Sequence, residues 1–223
     1  EVRKNGDAAL RRYAKEFDHA DIDALEVPGE QLDKALADLE PDLRAVLEEA
    51  AENIRAFHQR QVQNGFTISE KSGVVLGQKV TPIEKVGVYI PGGTAPLPST
   101  VLMDCIPAKI AGCSEIMMVS PPACGGDIAP IILAAARIAG VDRVFRCGGA
   151  QAVAALAYGT ESVPRADKIV GPGNAFVAEA KRQVFGRVGI DMIAGPSDIL
   201  VIADAASDPR HVAADLLSQA EHD

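Results

Sequence analysis

Three short segments rich in glycine and proline are the parts of this sequence best suited to hold a ligand. They are Tyr89–Gly93, Cys147–Gln151 and Gly171–Asn174. Each begins where an apolar run ends and leads into a helical pattern. Glycine lets the backbone approach a ligand closely, and a helix N-terminus offers free N–H groups and a positive dipole end to an anion. One such segment alone is typical of a tight turn, but three in one chain favour a nucleotide or phosphate crevice.

None of the three segments matches a known phosphate-binding motif. The dinucleotide fingerprint G-x-G-x-x-G and the lysine-bearing P-loop are both absent from the sequence around them. The pattern therefore indicates a crevice for an anionic small molecule and leaves the identity of that molecule open.

The last helical pattern carries a second candidate group. It begins at Asp208, a plausible N-cap followed by Pro209. The face opposite its apolar stripe carries His211, Asp215, Gln219 and His222. Gln219 and His222 are three residues apart, so both can point at one divalent metal ion. The same spacing also describes an ordinary solvated helix face, and zinc would need further ligands.

Two other candidates carry less chemistry. Ser197 lies in a Gly-Pro-Ser-Asp turn, which lacks the G-x-S-x-G elbow of hydrolases, so it indicates turn structure or a substrate hydrogen bond. The cysteines lie apart, without a C-x-x-C pair, and predict reduced thiols rather than a zinc site or disulfides. They are Cys105, Cys113, Cys124 and Cys147.

The elements that must position these residues follow from hydrophobic periodicity. Roughly the first sixty residues are helical in pattern, with apolar residues such as Leu10, Tyr13 and Phe17 at helical spacing. Beyond them apolar runs alternate with alanine-rich helices, which predicts βαβ units and a mostly parallel sheet covered on both faces. Strands are expected at Val86–Ile90, Ile116–Val119, Val144–Cys147, Lys168–Val170 and Ile199–Ala203. Such sheets bind ligands beyond the carboxyl ends of their strands, where the glycine-rich segments fall.

Composition excludes several classes of protein. The 223 residues carry 22 basic and 31 acidic side chains, a formal charge of −9, and 48% of them are apolar. An acidic globular chain without a basic run is poorly suited to nucleic acid or to an anionic membrane surface. No apolar run is long enough to span a bilayer, and a cytoplasmic location is the default. Because the chain starts at Glu1 and stops within a helical pattern, we expect it to be a piece of a longer protein.

Five blocks of the sequence carry a family resemblance. They are GVYIPGGTAPLPSTVLM, GGAQAVAALAYGTESVP, DKIVGPGNAFVAEAKRQV, DMIAGPSDILVIAD and DLLSQAEHD. In this order and spacing they resemble the histidinol dehydrogenases over nearly the whole chain. The resemblance implies an α/β fold of the ALDH-like type with parallel-sheet, Rossmann-type domains. It implies that residues 1–85 begin a discontinuous α/β domain, residues 86–197 form an inserted NAD-contacting domain, and residues 198–223 return to the first.

The resemblance also assigns site residues. It implies NAD contacts at Tyr89, Gln151 and Asn174, each in one of the three glycine-rich segments. It implies a substrate hydrogen bond from Ser197. It further implies substrate and zinc contacts from Gln219 and His222, which favours the metal interpretation of that helix face.

The implied activity is the zinc-dependent, four-electron oxidation of L-histidinol to L-histidine through L-histidinaldehyde, with two NAD, the last step of histidine biosynthesis. Members of the family are homodimers with a shared site. Their Glu-His proton-transfer pair and remaining zinc ligands correspond to sequence after Asp223, so no catalytic residue is expected within the chain. We therefore expect the stretch alone to bind NAD weakly and to turn over negligibly.

Three alternatives stay open at this stage. One is a related NAD-dependent dehydrogenase for another alcohol or polyol, and another is an aldehyde dehydrogenase that uses a Cys105 or Cys113 thiolate. The third is a non-catalytic α/β binding module.

Overall fold

A sheet of mainly parallel strands forms the centre of the first of two units, residues 1–193. The computed structural model describes residues 1–92, 96–123, 125–193 and 199–220, and their side chains up to residue 217. The described strands are β1 (Glu26–Val27), β2 (Phe66–Ile68), β3 (Leu76–Gln78), β4 (Lys85–Tyr89), β5 (Glu115–Ser120), β6 (Arg143–Arg146), β7 (Lys168–Val170) and β8 (Gly189–Ile190). The described helices are α1 (Val2–Phe17), α2 (Gly29–Ala37), α3 (Pro41–His58), α4 (Pro98–Ile110), α5 (Pro130–Ala139), α6 (Gly149–Tyr158), α7 (Ala175–Val184) and α8 (Pro209–Ala220).

The strand order confirms the parallel βαβ architecture. The sheet runs β1-β6-β5-β4-β7-β8, and every neighbouring pair is parallel except β1 with β6. Strands β2 and β3 form a separate antiparallel ribbon. Four of the five expected strands of the alternating region are therefore present at the expected positions.

Both faces of the sheet are covered, and this explains why its strands are continuous apolar runs. Ile116 and Met118 of β5 face one core, whereas Met117 and Val119 face the other, in keeping with the two-residue period of a strand. All four side chains have 0% exposure. Helices α1, α6 and α7 supply the core on one face, and α2 to α5 supply it on the other.

The N-terminal helices are part of this unit. Helix α1 packs against α6, α2 against α5, and α3 against α4. The short strand β1 adds an antiparallel edge to β6, with Val27 opposite Val144. The sequence pattern gave no sign of this pairing, since two residues are too few to show a strand period. The division at residues 1–85, 86–197 and 198–223 stays a prediction.

Arg146 at the end of β6 fastens the N-terminal segment to the sheet. Its guanidinium donates to the carbonyl oxygens of Ala24 (3.1 Å) and Glu26 (3.0 Å), and to the side chains of Gln31 (2.8 Å) and Asp127 (3.0 Å). The side chain is 10% exposed. A planar fork with five N–H groups is needed to reach partners in this many directions.

The second unit, residues 194–223, contains α8. Asp208 caps this helix as expected, because its Oδ1 accepts the N–H of Arg210 at 2.9 Å. The predicted strand at Ile199–Ala203 is wrong, since no strand is present there. A strand requires a hydrogen-bonded neighbour, and none of the described residues supplies one. Leu200 and Ile202 are accordingly 85% and 89% exposed. In the described part of the chain, no helix has the length and apolar character needed to cross a membrane.

Replacing Arg146 with Lys should destabilise the protein by about 2 kcal/mol, because a single ammonium cannot serve all four acceptors. The measurement is the free energy of unfolding by urea. The control is Arg137→Lys, whose side chain is 47% exposed and pairs with Asp33 at the surface, and which should cost less than about 0.5 kcal/mol. Equal losses in the two variants would contradict the proposed role of Arg146.

Candidate functional site

The three glycine-rich segments meet at one cavity. A space of about 1090 Å³ opens beyond the carboxyl ends of β4 to β7, and Tyr89, Gln151 and Asn174 all line it. Parallel strands end at the same edge of a sheet, so residues far apart in sequence converge there. The size is that of a ligand-binding site, since such pockets usually measure about 300–1,000 Å³.

Tyr89 is fixed at the last position of β4. It is 4% exposed, and its hydroxyl oxygen accepts the N–H of Gly149 at 3.0 Å. Burial raises the pKa of this hydroxyl above its ordinary value, so the group is neutral at physiological pH. Its own proton remains available for donation to a ligand.

Asn174 is both a helix cap and a candidate contact. Its Oδ1 accepts the N–H of Val177 at 3.1 Å, which caps the N-terminus of α7. The capping bond uses the carbonyl end of the side chain and leaves the NH₂ group for a ligand. Gln151 stands in a similar place, in the first turn of α6, and its side-chain amide can both donate and accept.

Close backbone packing shapes the wall between these residues. A Cβ at Gly148 would lie 2.4 Å from Cβ of Pro121, and one at Gly92 would lie 2.5 Å from Cγ of the same proline. Both positions therefore require glycine. Pro121 follows β5 and lines the cavity with its neighbours Ser120 and Pro122. Pro121 is not part of the three glycine-rich segments that the sequence indicated as ligand-binding.

Helix α1 supplies a wall that sequence reasoning missed. Tyr13, Phe17 and Asp18 line the cavity, and the rings of Tyr13 and Phe17 stack with centroids 5.6 Å apart. The helical spacing of Leu10, Tyr13 and Phe17 was correct, but only Leu10 is core, at 1% exposure, whereas Phe17 is 60% exposed. Spacing shows that side chains share a face, but it does not show where that face passes from core to cavity.

The thiols do not favour a thiolate mechanism. Burial raises the pKa of Cys105 far above its ordinary value and raises that of Cys147 to about 12. Burial also raises the pKa of Cys113. Each of the three is therefore a protonated, free thiol at neutral pH. Cys124 lies outside the described residues.

A buried carboxyl group, that of Asp104, interacts electrostatically with Lys181 and Asp191. Asp104 of α4 has one carboxylate oxygen, Oδ2, that is buried without a hydrogen-bond partner in the described structure. Burial, together with the charge of Asp191, raises the pKa of Asp104 to about 6, although Lys181 acts in the opposite direction. The group is thus largely ionised at pH 7 in a site that penalises its charge.

The remaining predicted site residues lie at the edge of what the structure describes. Ser197 and His222 are outside the described residues, and Gln219 lies in α8 without a described side chain. Within the described ranges, no three or more His, Cys, Asp or Glu side chains group together as a metal site would require. The zinc assignment therefore stays a prediction.

The fold and the cavity together define a class of protein. A mostly parallel α/β sheet with its ligand cavity at the strand carboxyl ends is characteristic of Rossmann-like proteins, many of which are nucleotide-dependent enzymes. The sequence profile of histidinol dehydrogenase matches residues 1–223. The chain belongs to the histidinol dehydrogenase family.

Individual relatives agree with this assignment. The chain is 56% identical over 225 residues to the histidinol dehydrogenase of Pseudomonas syringae pv. syringae, covering 100% of this chain and 50% of the relative. It is 54% identical over 222 residues to that of Lactiplantibacillus plantarum, covering 100% of this chain and 52% of the relative. The crystal structure of histidinol dehydrogenase from Elizabethkingia anophelis superimposes with a TM-score of 0.94 at 45% identity, over 99% of this chain and 51% of that one. The chain thus spans about half the length of these relatives.

Replacing Asp104 with Asn should stabilise the protein in a pH-dependent way. Between pH 4 and pH 6 the folded state keeps a proton that the unfolded state releases, so stability falls as pH rises through this window. At pH 8 the variant should gain about 2 kcal/mol, and at pH 4 it should gain little. Urea unfolding at both pH values measures the difference, with the exposed Asp38→Asn as control. A gain of the same size at pH 4 would contradict the assignment of the raised pKa.

Proposed function

We propose that this chain forms the dinucleotide-contacting part of a longer histidinol dehydrogenase, which oxidises L-histidinol to L-histidine through L-histidinaldehyde. The observation that carries the proposal is the convergence of Tyr89, Gln151 and Asn174 on one cavity. Membership of the family supports the activity. NAD, when bound, would accept the hydride from the substrate.

The residues of this chain would bind and orient the dinucleotide. The free N–H groups at the N-termini of α6 and α7 suit its phosphates, and the Tyr89 hydroxyl and the two side-chain amides suit its ribose and base groups. Among the described residues that line the cavity, none is Lys or Arg. The main-chain N–H groups and the imidazole of His19 would therefore be the available donors to the phosphates.

The zinc proposal rests on the family alone. An imidazole nitrogen of His222 and the amide oxygen of Gln219 are chemically competent ligands, and Ser197 would donate to the substrate. We propose that the remaining ligands and the Glu-His proton-transfer pair lie in further sequence of the longer protein, and that two copies form a homodimer with a shared site. The described residues form no cluster of three or more His, Cys, Asp or Glu that would hold the ion.

The complete product of the gene that encodes these residues, here called the full-length protein, should form NADH when given L-histidinol. Gln151→Ala and Asn174→Ser should each raise the KM for NAD by about tenfold, since each removes a contact to the bound dinucleotide. Serine can still cap α7, so the second variant separates the contact from the cap. Initial rates measured by NADH absorbance, with NAD varied at saturating histidinol, test both expectations.

The control for these variants is Gln183→Ala, an exposed glutamine on α7 that bonds to Glu179. It should leave the KM for NAD unchanged. The proposal fails if the full-length protein forms no NADH from histidinol. It fails also if the 223-residue stretch alone turns over as fast as the full-length protein.

Zinc binding can be tested on the full-length protein independently of activity. Gln219→Ala and His222→Ala should each reduce the zinc retained after dialysis to well below one ion per chain, because each removes a ligand. The matched control is His211→Ala, a histidine on the same helix that lies two turns before Gln219 and should leave zinc content unchanged. Inductively coupled plasma mass spectrometry measures the zinc content of each variant. Full zinc occupancy in both ligand variants would exclude the assignment.

A further inference from the structure

A buried lysine lies next to the candidate site and has no part in the proposed chemistry. Lys181 of α7 is 1% exposed, the most enclosed charged side chain among the described residues. Burying an ammonium group is costly unless it is paired and hydrogen-bonded. The partners of Lys181 therefore indicate what role the buried ammonium group has.

The ammonium group of Lys181 makes direct contact with one carboxylate and one carbonyl among the described residues. Its Nζ donates to the carbonyl oxygen of Gly171 at 3.0 Å and forms an ion pair with Asp191. Asp191 in turn accepts the N–H of Gly171 at 2.9 Å through Oδ2. The lysine and the aspartate together hold both backbone polar groups of one glycine.

Gly171 is the point at which two ligand-facing segments touch. Its φ of +112° is a backbone conformation that glycine adopts readily and other residues rarely adopt. In addition, a Cβ at this position would lie 2.1 Å from the carbonyl oxygen of Tyr89. Tyr89 ends β4, and Asn174 follows Gly171 by three residues. The position of Gly171 therefore affects where both Tyr89 and Asn174 stand in the cavity.

We propose that Lys181 is a positioning residue for the dinucleotide site, which fixes the Gly171–Asn174 segment against the end of β4 through its bonds to Gly171 and Asp191. The inference rests on the proposed function, because it assumes that Asn174 and Tyr89 contact the dinucleotide. Lys181 itself does not line the cavity. Its effect on binding is transmitted through the backbone of the segment.

The chain offers a matched pair of lysine and arginine positions for the test. Lys181→Met removes the ammonium and keeps much of the apolar stem. Arg182→Met makes a similar change one residue later, where the side chain is 60% exposed and pairs with Glu179 at the surface. Asp191→Asn is a second variant, whose amide oxygen can still accept the Gly171 N–H but which removes the charge of the ion pair with Lys181. All are made in the full-length protein.

We expect Lys181→Met to raise both the Kd for NAD and the KM for NAD by about tenfold, because small displacements of contacting groups weaken binding strongly. The KM for histidinol should stay within about twofold, and Arg182→Met should match the wild type. Calorimetric titration gives the Kd, initial rates give the KM values, and thermal unfolding reports whether each variant is folded. If Lys181→Met does not fold, Asp191→Asn should show the same selective rise in the KM for NAD, by about threefold.

Several results would overturn the proposal. A folded Lys181→Met protein with an unchanged KM for NAD would do so, as would a fall in kcat alone or an equal rise in both KM values. If neither Lys181→Met nor Asp191→Asn folds, the ion pair of Lys181 and Asp191 is required for folding, and the positioning role is rejected. The Gln151→Ala variant distinguishes failure of this inference from failure of the proposed function. If wild type binds no NAD, or if Gln151→Ala leaves binding unchanged, the proposed function fails first.

Discussion

Parallel pairing of β4 to β8 is the constraint on which the rest of this structure depends. Because every strand of that set runs the same way, each must end at the same edge of the sheet, and after each of β4 to β7 the chain leaves that edge through a loop that leads to a helix. Glycines at those exits allow the loops to pack on one another, as Gly148 does on Pro121 and Gly171 does on Tyr89. The cavity is the space that these crowded exits leave between them.

The same constraint decides what the sequence could reveal. Strands covered on both faces are continuous apolar runs, so β4 to β7 could be found from those runs in the sequence, and the loops after them could be recognised by their glycines. The failed strand at Ile199–Ala203 has an equally apolar pattern, but a pattern cannot state whether a neighbouring strand is there to pair with it. The cavity wall from α1 was hidden for a related reason. Phe17 lies far in sequence from Tyr89, and only the folded chain brings both to one space.

The candidate site is built mainly by main-chain groups and by uncharged side chains. The hydroxyl oxygen of Tyr89 accepts a hydrogen bond from the Gly149 N–H, and the side-chain amide of Asn174 caps α7. Asp18 and His19 also line the cavity. The ion pair of Lys181 and Asp191 lies outside the lining, where it bonds to the backbone of Gly171 and interacts electrostatically with Asp104 of α4. Such an arrangement fixes the position of a bound ligand accurately and attracts an anion only moderately.

The short strand β1 also has a consequence for the outer edge of the sheet. An uncovered edge of β6 would present a row of free N–H and C=O groups, which can template pairing with a second chain. Two residues of β1 occupy that row in the antiparallel sense, and Glu26 of β1 forms a fork-to-fork pair with Arg143 at 2.7 and 2.6 Å. A strand this short, with a charged pair on it, is a poor template for further growth. The N-terminal segment thus protects the sheet from aggregation at its β6 side.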